Sequence, residues 1–282
     1  MKYFFLFLLG FAINCGVGQF SPKYQIATSF PTLEEKPFVI LMCGYNAEKY
    51  VEKALRSVLE QEYSNYRLIY IDDASEDKSH HLVKTTLEKH KKIENLLIQN
   101  PHNVGAMANL KRGFDLCKDQ EIIVHLDADD LLAHPYALKK LNEIYANPDV
   151  WLTYGSYLDI PTYAPGKFAR PIPKQILQKG KIREHPWSSS HLRTYYAGLA
   201  KKIHLEDLKI DGEFLPSTSD LATMYPMIEM AGTHAYFVPE CLHQYQISNP
   251  TSDCFIRQNT QSAIAQKIRS KTPYTPLEEF CN

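Results

Sequence analysis

From residue 37 to residue 147, short apolar runs alternate with segments whose apolar residues recur every three or four positions. The run 38–43 (FVILMC) is typical of a strand that is buried on both faces. Apolar residues then fall on one face of a helix, at Val51, Ala54, Leu55, Val58 and Leu59. The same pattern predicts strands at 67–71, 96–98 and 121–126 and helices at 77–90 and 104–117. Strands that alternate with helices indicate right-handed crossovers, so we predict an α/β fold with a single open, mostly parallel sheet and helices on both faces.

The pattern is less regular after residue 147. Residues 155–186 are rich in proline, glycine and tyrosine and predict a long loop; loops longer than about 15 residues are usually functional or disordered. The other predicted elements are three helices, at 191–203, after 217–219 and at 255–269, and two short strands, at 234–238 and 242–247. Pro226 predicts a kink in the second of these helices.

The N-terminal segment, residues 1–19, has the pattern of a signal peptide or a short membrane anchor. Lys2 is a basic start, and the apolar run 3–13 is short for a membrane span, which needs roughly 20 apolar residues. Residues 20–36 show no periodicity and predict a linker. Such a segment indicates a membrane-associated or secretory protein and is compatible with peripheral membrane association. Without it, a cytoplasmic protein is expected.

The charge balance and the cysteine spacing narrow the classes of partner. There are 31 Lys and Arg residues against 32 Asp and Glu residues, for a net charge of −1. This balance gives no general reason to expect binding to nucleic acid or to an acidic membrane, and we predict no nucleic-acid partner. The six cysteines form no C-x-x-C pair, so neither a zinc ribbon nor a redox motif is predicted.

Several common catalytic motifs are absent from the sequence. It contains no G-x-G-x-x-G after a strand, no P-loop, no G-x-S-x-G and no H-E-x-x-H. The polar residues that remain follow the predicted strands, at Asn46, Asp72, Asp73, Asp127 and Asp129. In an open α/β sheet, ligands bind beyond these carboxyl ends. Asp127 and Asp129 point to the same side of an extended chain, and such carboxylates suit Mg²⁺ or Mn²⁺ together with substrate phosphates.

Four segments, in order, carry a resemblance to a known family. They are FVILMCGYN, LIYIDDASED, NPHNVGAMANLKRGFD and IIVHLDADDLLAHP. In these segments the chain resembles the family 2 glycosyltransferases, which have the A-type glycosyltransferase fold. The resemblance continues more faintly through HLRTYYAGLAKKI and SDLATMYPMIEMAG to HQYQISNPTSD, so that it covers about residues 38–252.

This resemblance implies a nucleotide-sugar site and assigns residues to it. The residues implied to bind the nucleotide sugar are Tyr45, Asn46, Asp72, Asp73, Gly105, Asn109 and Asp127. Among them, Asp72 or Asp73 would accept a hydrogen bond from the base, and Asp127 would contact the ribose or the sugar. Asp129 would bind a divalent cation, Mn²⁺ or Mg²⁺, and Asp220 would be the catalytic base.

Several of these residues have a structural alternative. Asp73 could cap the helix that follows it, and Asn109 could be a surface residue of a helix. Asp220 could be a cap or a first-turn acid of the helix predicted after 217–219. In that case, Glu229 or an acid within 205–215 would be the base. Three histidines are interpreted as structural rather than catalytic, namely His125, His191 and His243.

Two departures from the family pattern bear on function. Cys43 and Gly44 precede Tyr45, where the family often has proline, so the shape of the first loop is left open. The sequence also has no Q-x-x-R-W motif, and no transmembrane helix is predicted in its body. Transfer of a single sugar is therefore favoured over processive polysaccharide synthesis.

The resemblance therefore implies an inverting, metal-dependent glycosyltransferase. Its donor would be a nucleoside-diphosphate sugar, with a UDP-sugar as first choice, and its acceptor a hydroxyl group of a glycan, lipid or protein. The nucleotide-sugar-binding half would be 37–147, the acceptor-binding and catalytic half 148–254, and the C-terminal helix and tail 255–282. Two alternatives remain: a catalytically inactive sugar-nucleotide-binding relative, and a nucleotidyltransferase on a similar fold.

Overall fold

The structure is a computed structural model that describes residues 33–250, 252 and 258–280. The predicted signal peptide or anchor at 1–19, and the linker up to residue 32, lie outside the described residues. All described residues belong to one compact unit that starts at Leu33. Within this part of the chain, no helix is both long enough and apolar enough to span a bilayer.

The first half follows the predicted alternation of strands and helices. Its strands are β1 (Phe38–Gly44), β2 (Tyr66–Asp72), β3 (Glu94–Gln99) and β4 (Ile122–Asp127). Its helices are α1 (Val51–Leu59), α2 (Ser79–Lys89), α3 (Ala106–Asp115) and α4 (Ala137–Tyr145). Local periodicity was sufficient here because β1, β2 and β4 are buried along most of their length and the helices between the strands each bury one face, although β3 is largely exposed.

The second half contains short strands and helices. The strands are β5 (Leu131–Leu132), β6 (Leu152–Ile160), β7 (Ala164–Pro165), β8 (Arg193–Tyr196), β9 (Lys209–Ile210), β10 (Glu213–Phe214) and β11 (Ala235–Gln246). The α-helices are α5 (Lys174–Gln178), α6 (Ala197–Lys201), α7 (Ser219–Ala231) and α8 (Gln258–Ser270). Short 3₁₀ helices cover Ile182–Glu184, Leu205–Leu208 and Gly232–His234.

One large mixed sheet joins the two halves, with strand order β3-β2-β1-β4-β8-β6-β11-β5. Strands β1 to β4 pair in parallel, as do β6 and β11, but β8 is antiparallel to both of its neighbours, β4 and β6. The predicted single open sheet is confirmed, and its mixed character is a minor correction. Because β8 runs in reverse, its first residue, Arg193, is paired with His125 near the end of β4.

Three sequence predictions in the second half were wrong in detail. The predicted helix at 191–203 begins with strand β8, whose Tyr195 and Tyr196 pack into the cores on opposite faces of the sheet. The predicted loop at 155–186 begins inside β6 and later includes α5. The two predicted strands at 234–247 are a single strand, β11, whose pairing shifts register between Val238 and His243. In each case the pairing partner lies far away in sequence, which local periodicity does not register.

The sheet separates two apolar cores. On one face, Val39 and Leu41 of β1 pack in the core that also contains residues of α3, α6, α7 and α8. On the other face, Ile40 and Met42 pack with residues of α1, α2 and α4. Alternation along β1 therefore divides its side chains between the two layers, which confirms the prediction of helices on both faces.

Candidate active site

The carboxyl ends of β1, β2 and β4 lie together at one edge of the sheet. Gly44 of β1 is paired with Asp72 of β2, and Cys43 of β1 is paired with Asp127 of β4. Parallel pairing thus brings the acidic ends of two strands to either side of β1, with Tyr45 next in the chain and 44% exposed. We refer to this as the acidic edge.

Gly44 permits unusually close packing at the acidic edge. A Cβ atom at this position would lie 2.1 Å from the Tyr70 hydroxyl oxygen and 2.9 Å from the Cβ atom of Ala128. Ala128 lies between the two candidate carboxylates, Asp127 and Asp129, so the glycine sets how near β1 comes to them. This contact is a physical reason for Gly44 in the first loop.

The carboxylate of Asp73 is occupied by hydrogen bonds within the protein. Its carboxylate accepts hydrogen bonds from the Val104 amide (2.9 Å), the Gly105 amide (2.8 Å) and the Asn100 side chain (2.8 Å). The carboxylate thereby holds the segment that leads into α3. Gly105, at the start of that helix, has φ +87, a conformation that favours glycine.

Asp72 is placed differently. One of its oxygens accepts a hydrogen bond from the Ser75 amide (3.1 Å), whereas the other is buried without a hydrogen-bond partner among the described residues. A buried acceptor of this kind costs free energy unless a ligand or water supplies a donor. Of the two acids proposed to contact the base, Asp72 is therefore the one with an acceptor to spare.

Two asparagines proposed for the nucleotide site are embedded in hydrogen bonds. Asn46, at φ 51, accepts from the Glu76 amide (2.9 Å) and links the loops that follow β1 and β2. Asn109 is 1% exposed and accepts from Asn100 (2.7 Å), so it is not a surface residue of its helix. Its side-chain nitrogen is buried with no hydrogen-bond acceptor in the described part of the chain.

Asp127 lies between two nitrogen-bearing side chains. Its carboxylate oxygens are 3.5 Å from His125 Nε2 and 3.7 Å from Arg193 Nη2. Burial opposes ionisation, but the His125 imidazole and the Arg193 guanidinium hold the pKa of Asp127 well below its usual range. Burial also lowers the pKa of His125, so this histidine is neutral and can donate one N–H. Asp127 is therefore a permanent anion at the acidic edge.

Asp129 is a half-buried carboxylate with an electrostatic reason to hold a cation. Burial and the nearby charges of Asp130 and Asp127 raise its pKa to about 7. The Asn249 side chain donates to its Oδ2 atom at 2.8 Å. Three acids in four residues repel one another, and a divalent cation with oxygen ligands would relieve that repulsion. The half-buried Asp129 thus fits the predicted Mn²⁺ or Mg²⁺ ligand.

Asp130 and two histidines form a second cluster, with potential ligand atoms within 4.8 Å of one another. Asp130 is already engaged: it contacts His243 Nε2 at 2.9 Å and accepts from the Gln246 amide at 2.7 Å. The His191 and His243 rings are stacked, with centroids 4.4 Å apart and planes 18° apart. Because an imidazole lone pair lies in the ring plane, rings stacked in this way do not point at one ion. The cluster would have to rearrange to bind a metal.

Asp220 reaches the acidic edge from the other half of the chain. It lies in the first turn of α7 with its side chain 33% exposed, and its Oδ2 atom is 3.9 Å from Arg193 Nη1. Since Arg193 also contacts Asp127, a single guanidinium links the two carboxylates. The alternative base, Glu229, forms a buried ion pair with Arg183 at 2.6 Å and also accepts from the Tyr274 amide. Glu229 therefore makes structural contacts that hold α7 in place and is not free to act as the base.

Sequence reasoning missed two residues of this site. Arg193 falls in a segment predicted to be helical, and only the reversed strand β8 brings it beside β4. Asn249 follows β11 and reaches Asp129 across 120 residues of chain. The faint resemblance through both segments was the one available signal for either residue.

Comparisons with known proteins bear on the family and the fold of the chain. The sequence signature of the family described as Glycosyl transferase family 2 matches residues 39–204, more than half of the chain. An uncharacterized glycosyltransferase of Haemophilus influenzae is 36% identical over 118 residues, which are 42% of this chain and 46% of the relative. The chain therefore aligns with less than half of that relative's length.

Two further proteins extend the comparison. The GalNAc(5)-diNAcBac-PP-undecaprenol beta-1,3-glucosyltransferase of Campylobacter jejuni is 29% identical, over 64% of this chain and 57% of its own. Among solved structures, the mannosyltransferase PcManGT of Pyrobaculum calidifontis, in complex with GDP-Man and Mn²⁺, superposes with a TM-score of 0.60 at 18% identity. That superposition covers 86% of this chain and 66% of the mannosyltransferase chain. At that identity the superposition shows a shared fold. With the family signature spanning β1 to α6, the chain belongs to glycosyl transferase family 2.

Proposed function

We propose that this protein transfers a single sugar from a nucleoside-diphosphate sugar to an acceptor hydroxyl group, with inversion at the anomeric carbon and with a divalent cation. One observation carries the proposal. Arg193 lies 3.7 Å from Asp127 and 3.9 Å from Asp220, so acids from the two halves of the chain face each other at one edge of the sheet. Direct displacement requires this arrangement, because the donor site and the base must lie on opposite sides of the anomeric carbon.

The donor side is built on the ends of β1 and β2. Tyr45 is 44% exposed and offers a ring on which a base can stack. Asp72 is fully buried, and its unpaired oxygen would accept from an N–H group on the base only after the surrounding loops open. These features suit a base with an N–H donor, such as uracil or guanine, and a UDP-sugar is the first donor to test.

Asp129 is the residue that we propose to hold the cation. Its carboxylate is half-buried. Burial, and to a lesser extent the neighbouring carboxylates, raise its pKa to about 7. A bound Mn²⁺ or Mg²⁺ would supply Lewis-acid stabilisation of the diphosphate leaving group. Asp127, which remains ionised beside Arg193, would contact the ribose or the sugar.

Asp220 is the proposed general base. Its carboxylate would accept the proton of the acceptor hydroxyl while that oxygen attacks the anomeric carbon, and the bond from this carbon to the diphosphate would break on the opposite side. Such a direct displacement inverts the configuration. General base catalysis of this kind contributes ~10²–10⁴-fold to the rate.

The acceptor remains a choice among a glycan, a lipid and a protein. The name of the Campylobacter relative specifies a substrate linked through a diphosphate to undecaprenol. This supports testing a polyprenol-linked acceptor first.

The test is a donor screen followed by one substitution. Release of nucleoside diphosphate would be measured for UDP- and GDP-sugars with Mn²⁺ or Mg²⁺, and NMR of the product would report its anomeric configuration. Asp129→Asn should abolish release and the thermal stabilisation by Mn²⁺ plus nucleotide. Asp115→Asn removes an exposed acid of α3 that pairs with Lys111, and it should leave both measurements unchanged.

Three outcomes would contradict the proposal. Full activity of the wild-type protein in excess chelator would refute the metal dependence. Binding of nucleotide sugars without any turnover on candidate acceptors would indicate an inactive relative. Release of pyrophosphate instead of a nucleoside diphosphate would indicate a nucleotidyltransferase.

A further inference from the structure

Residues 161–181 carry five basic residues and no acidic one, although the whole chain has a net charge of −1. All five are exposed: Lys167, Arg170, Lys174, Lys179 and Lys181. The last of them forms an exposed ion pair with Glu184 at 3.1 Å. Two exposed aromatic residues share the segment, Tyr163 at 63% and Phe168 at 37% exposure. We call these seven residues the basic-aromatic surface.

The segment has an inner side and an outer side. Its buried residues, which include Gly166, Ile172 and Leu177, are small or apolar. The Gly166 amide donates to the Tyr157 carbonyl of β6 at 2.8 Å, and the Ile172 amide donates to the Tyr154 hydroxyl at 2.9 Å. These contacts hold the segment against β6. The basic side chains are thus displayed outward on an anchored stretch of chain.

The basic-aromatic surface borders the proposed active site. Strands β6 and β4 are both antiparallel to β8, so β6 ends at the same edge of the sheet as Asp127. Tyr157 of β6 packs against the His191 ring at 5.5 Å, and His191 Nδ1 lies 3.3 Å from Arg193 Nη2. Contacts through Tyr157 and His191 therefore connect the anchored segment with Arg193.

Exposed aromatic rings beside exposed cations match the interface of an anionic bilayer. Aromatic side chains favour the headgroup level, where one end is apolar and the other is wet, and basic side chains are drawn to anionic lipids. At this surface the Lys167 ammonium lies 5.5 Å from the centre of the Phe168 ring. A soluble polyanion would be attracted by the cations but would give no reason to expose Tyr163 and Phe168.

We propose that the basic-aromatic surface docks the protein on an anionic membrane, with the acidic edge next to the lipid headgroups. The partner is the bilayer surface itself, recognised through its negative charge and its apolar interior. This placement would present the proposed transfer site to acceptors held in that membrane. The docking surface lies outside the nucleotide-sugar site, so binding to vesicles can be tested without knowledge of donor or acceptor.

The test is co-sedimentation of the full chain with vesicles of phosphatidylcholine, alone or mixed with phosphatidylglycerol. Wild-type protein should favour the anionic vesicles, less so as salt is raised. The variant K167E/R170E/K174E should lose more than ~10²-fold in partitioning, because each basic residue near an anionic surface contributes roughly a fivefold factor and the three new carboxylates are also repelled by that surface. The variant K84E/K91E/K92E makes the same charge change at exposed sites in α2 and in the turn between α2 and β3, outside the basic-aromatic surface, and it should bind like the wild type.

Two further variants complete the test. K167Q/R170Q/K174Q removes charge without reversing it and should show a smaller loss in the same direction. Y163S/F168S should weaken binding to the anionic vesicles while leaving its salt dependence unchanged. Nucleotide binding should survive in both, which separates this inference from the proposed function.

The proposal would be overturned by any of three results. Equal binding of the two charge-reversal variants would show that the surface is not involved. Equal binding of the wild type to neutral and anionic vesicles would remove the role of charge. Inorganic polyphosphate binding that is lost in K167E/R170E/K174E, with vesicle binding intact, would instead identify a soluble polyanion as the partner.

Discussion

The guanidinium of Arg193 lies 3.9 Å from the carboxylate of Asp220, although β8 and α7 contribute these residues from separate stretches of the chain. Arg193 is 3% exposed, and its second terminal nitrogen is 3.7 Å from Asp127. A planar group with two terminal nitrogens can face both acids at once, whereas a single ammonium cannot. We therefore propose that Arg193 is a positioning residue that sets the distance between the proposed donor and base sites.

Arg193→Lys tests this role. The substitution keeps the charge but not the double contact. Because a misplacement of about 1 Å can cost ~10²-fold in rate, we expect kcat to fall by ~10–10²-fold with KM for the donor nearly unchanged. Steady-state kinetics and thermal unfolding would measure the two effects. Arg67→Lys, in an ion pair with Glu121 on the amino side of the sheet, should lower stability without changing kcat. If kcat/KM fell in proportion to the loss of stability in both variants, Arg193 would have only a structural role.

Two acids of α7 should behave in opposite ways. Asp220→Asn should lower kcat by ~10² or more with nucleotide affinity unchanged, because it removes the proposed base. Glu229→Gln leaves Arg183 buried without its charge partner and should cost about 3–5 kcal/mol of folding stability. Kinetics and urea unfolding on both variants provide the comparison. Normal turnover by Asp220→Asn would move the base elsewhere, and the acids within 205–215 would be examined next.

Substitutions of Asp72 and Asp73 should affect different properties, namely nucleotide affinity for Asp72 and folding stability for Asp73. Asp73→Asn cannot accept all three of its present hydrogen bonds, and a destabilisation of about 1–3 kcal/mol is expected. Asp72→Asn can keep the bond from the Ser75 amide through its remaining oxygen, so stability should change little. Nucleotide affinity should fall in Asp72→Asn because the acceptor for the base is lost. Calorimetry with UDP would decide, and equal affinity in the wild type and Asp72→Asn would exclude Asp72 from the base site.

The ion pair of Glu121 should make the free energy of unfolding depend on pH in the acid range, independently of the active site. Burial would raise its pKa, but hydrogen bonds from Arg67 and from the Lys118 amide lower it below the ordinary value of 4.5. A depressed pKa in the folded state stabilises the protein above the unfolded value, and this stabilisation is lost as pH falls through the folded value. Glu121→Gln should therefore cost about 1–3 kcal/mol near neutrality and much less well below pH 4.5. Urea unfolding of the wild type and the variant, near neutrality and well below pH 4.5, measures this difference in stability. A constant difference between the two proteins would contradict the assignment.

The sequence alone was sufficient for the first half of the fold and for the acids at the end of its strands. FVILMC is a continuous apolar run, and EIIVHL is apolar except for Glu121 and His125, as is typical of buried strands. The helical face at 51–59 repeats at the period of a helix. Parallel pairing then follows from the alternation, and with it the meeting of Asp72 and Asp127 at one edge.

Tertiary structure decided the rest of the site. Whether Arg193 starts a strand or lies in a helix depends on the gap between β4 and β6, which β8 fills. The contact of Asn249 with Asp129 likewise depends on how β11 pairs at the far side of the sheet. These pairings join residues up to 120 positions apart, and their register is set by the packing of whole strands rather than by the periodicity of any one segment. The sequence determined which residues could carry the chemistry, and the sheet order determined which of them meet.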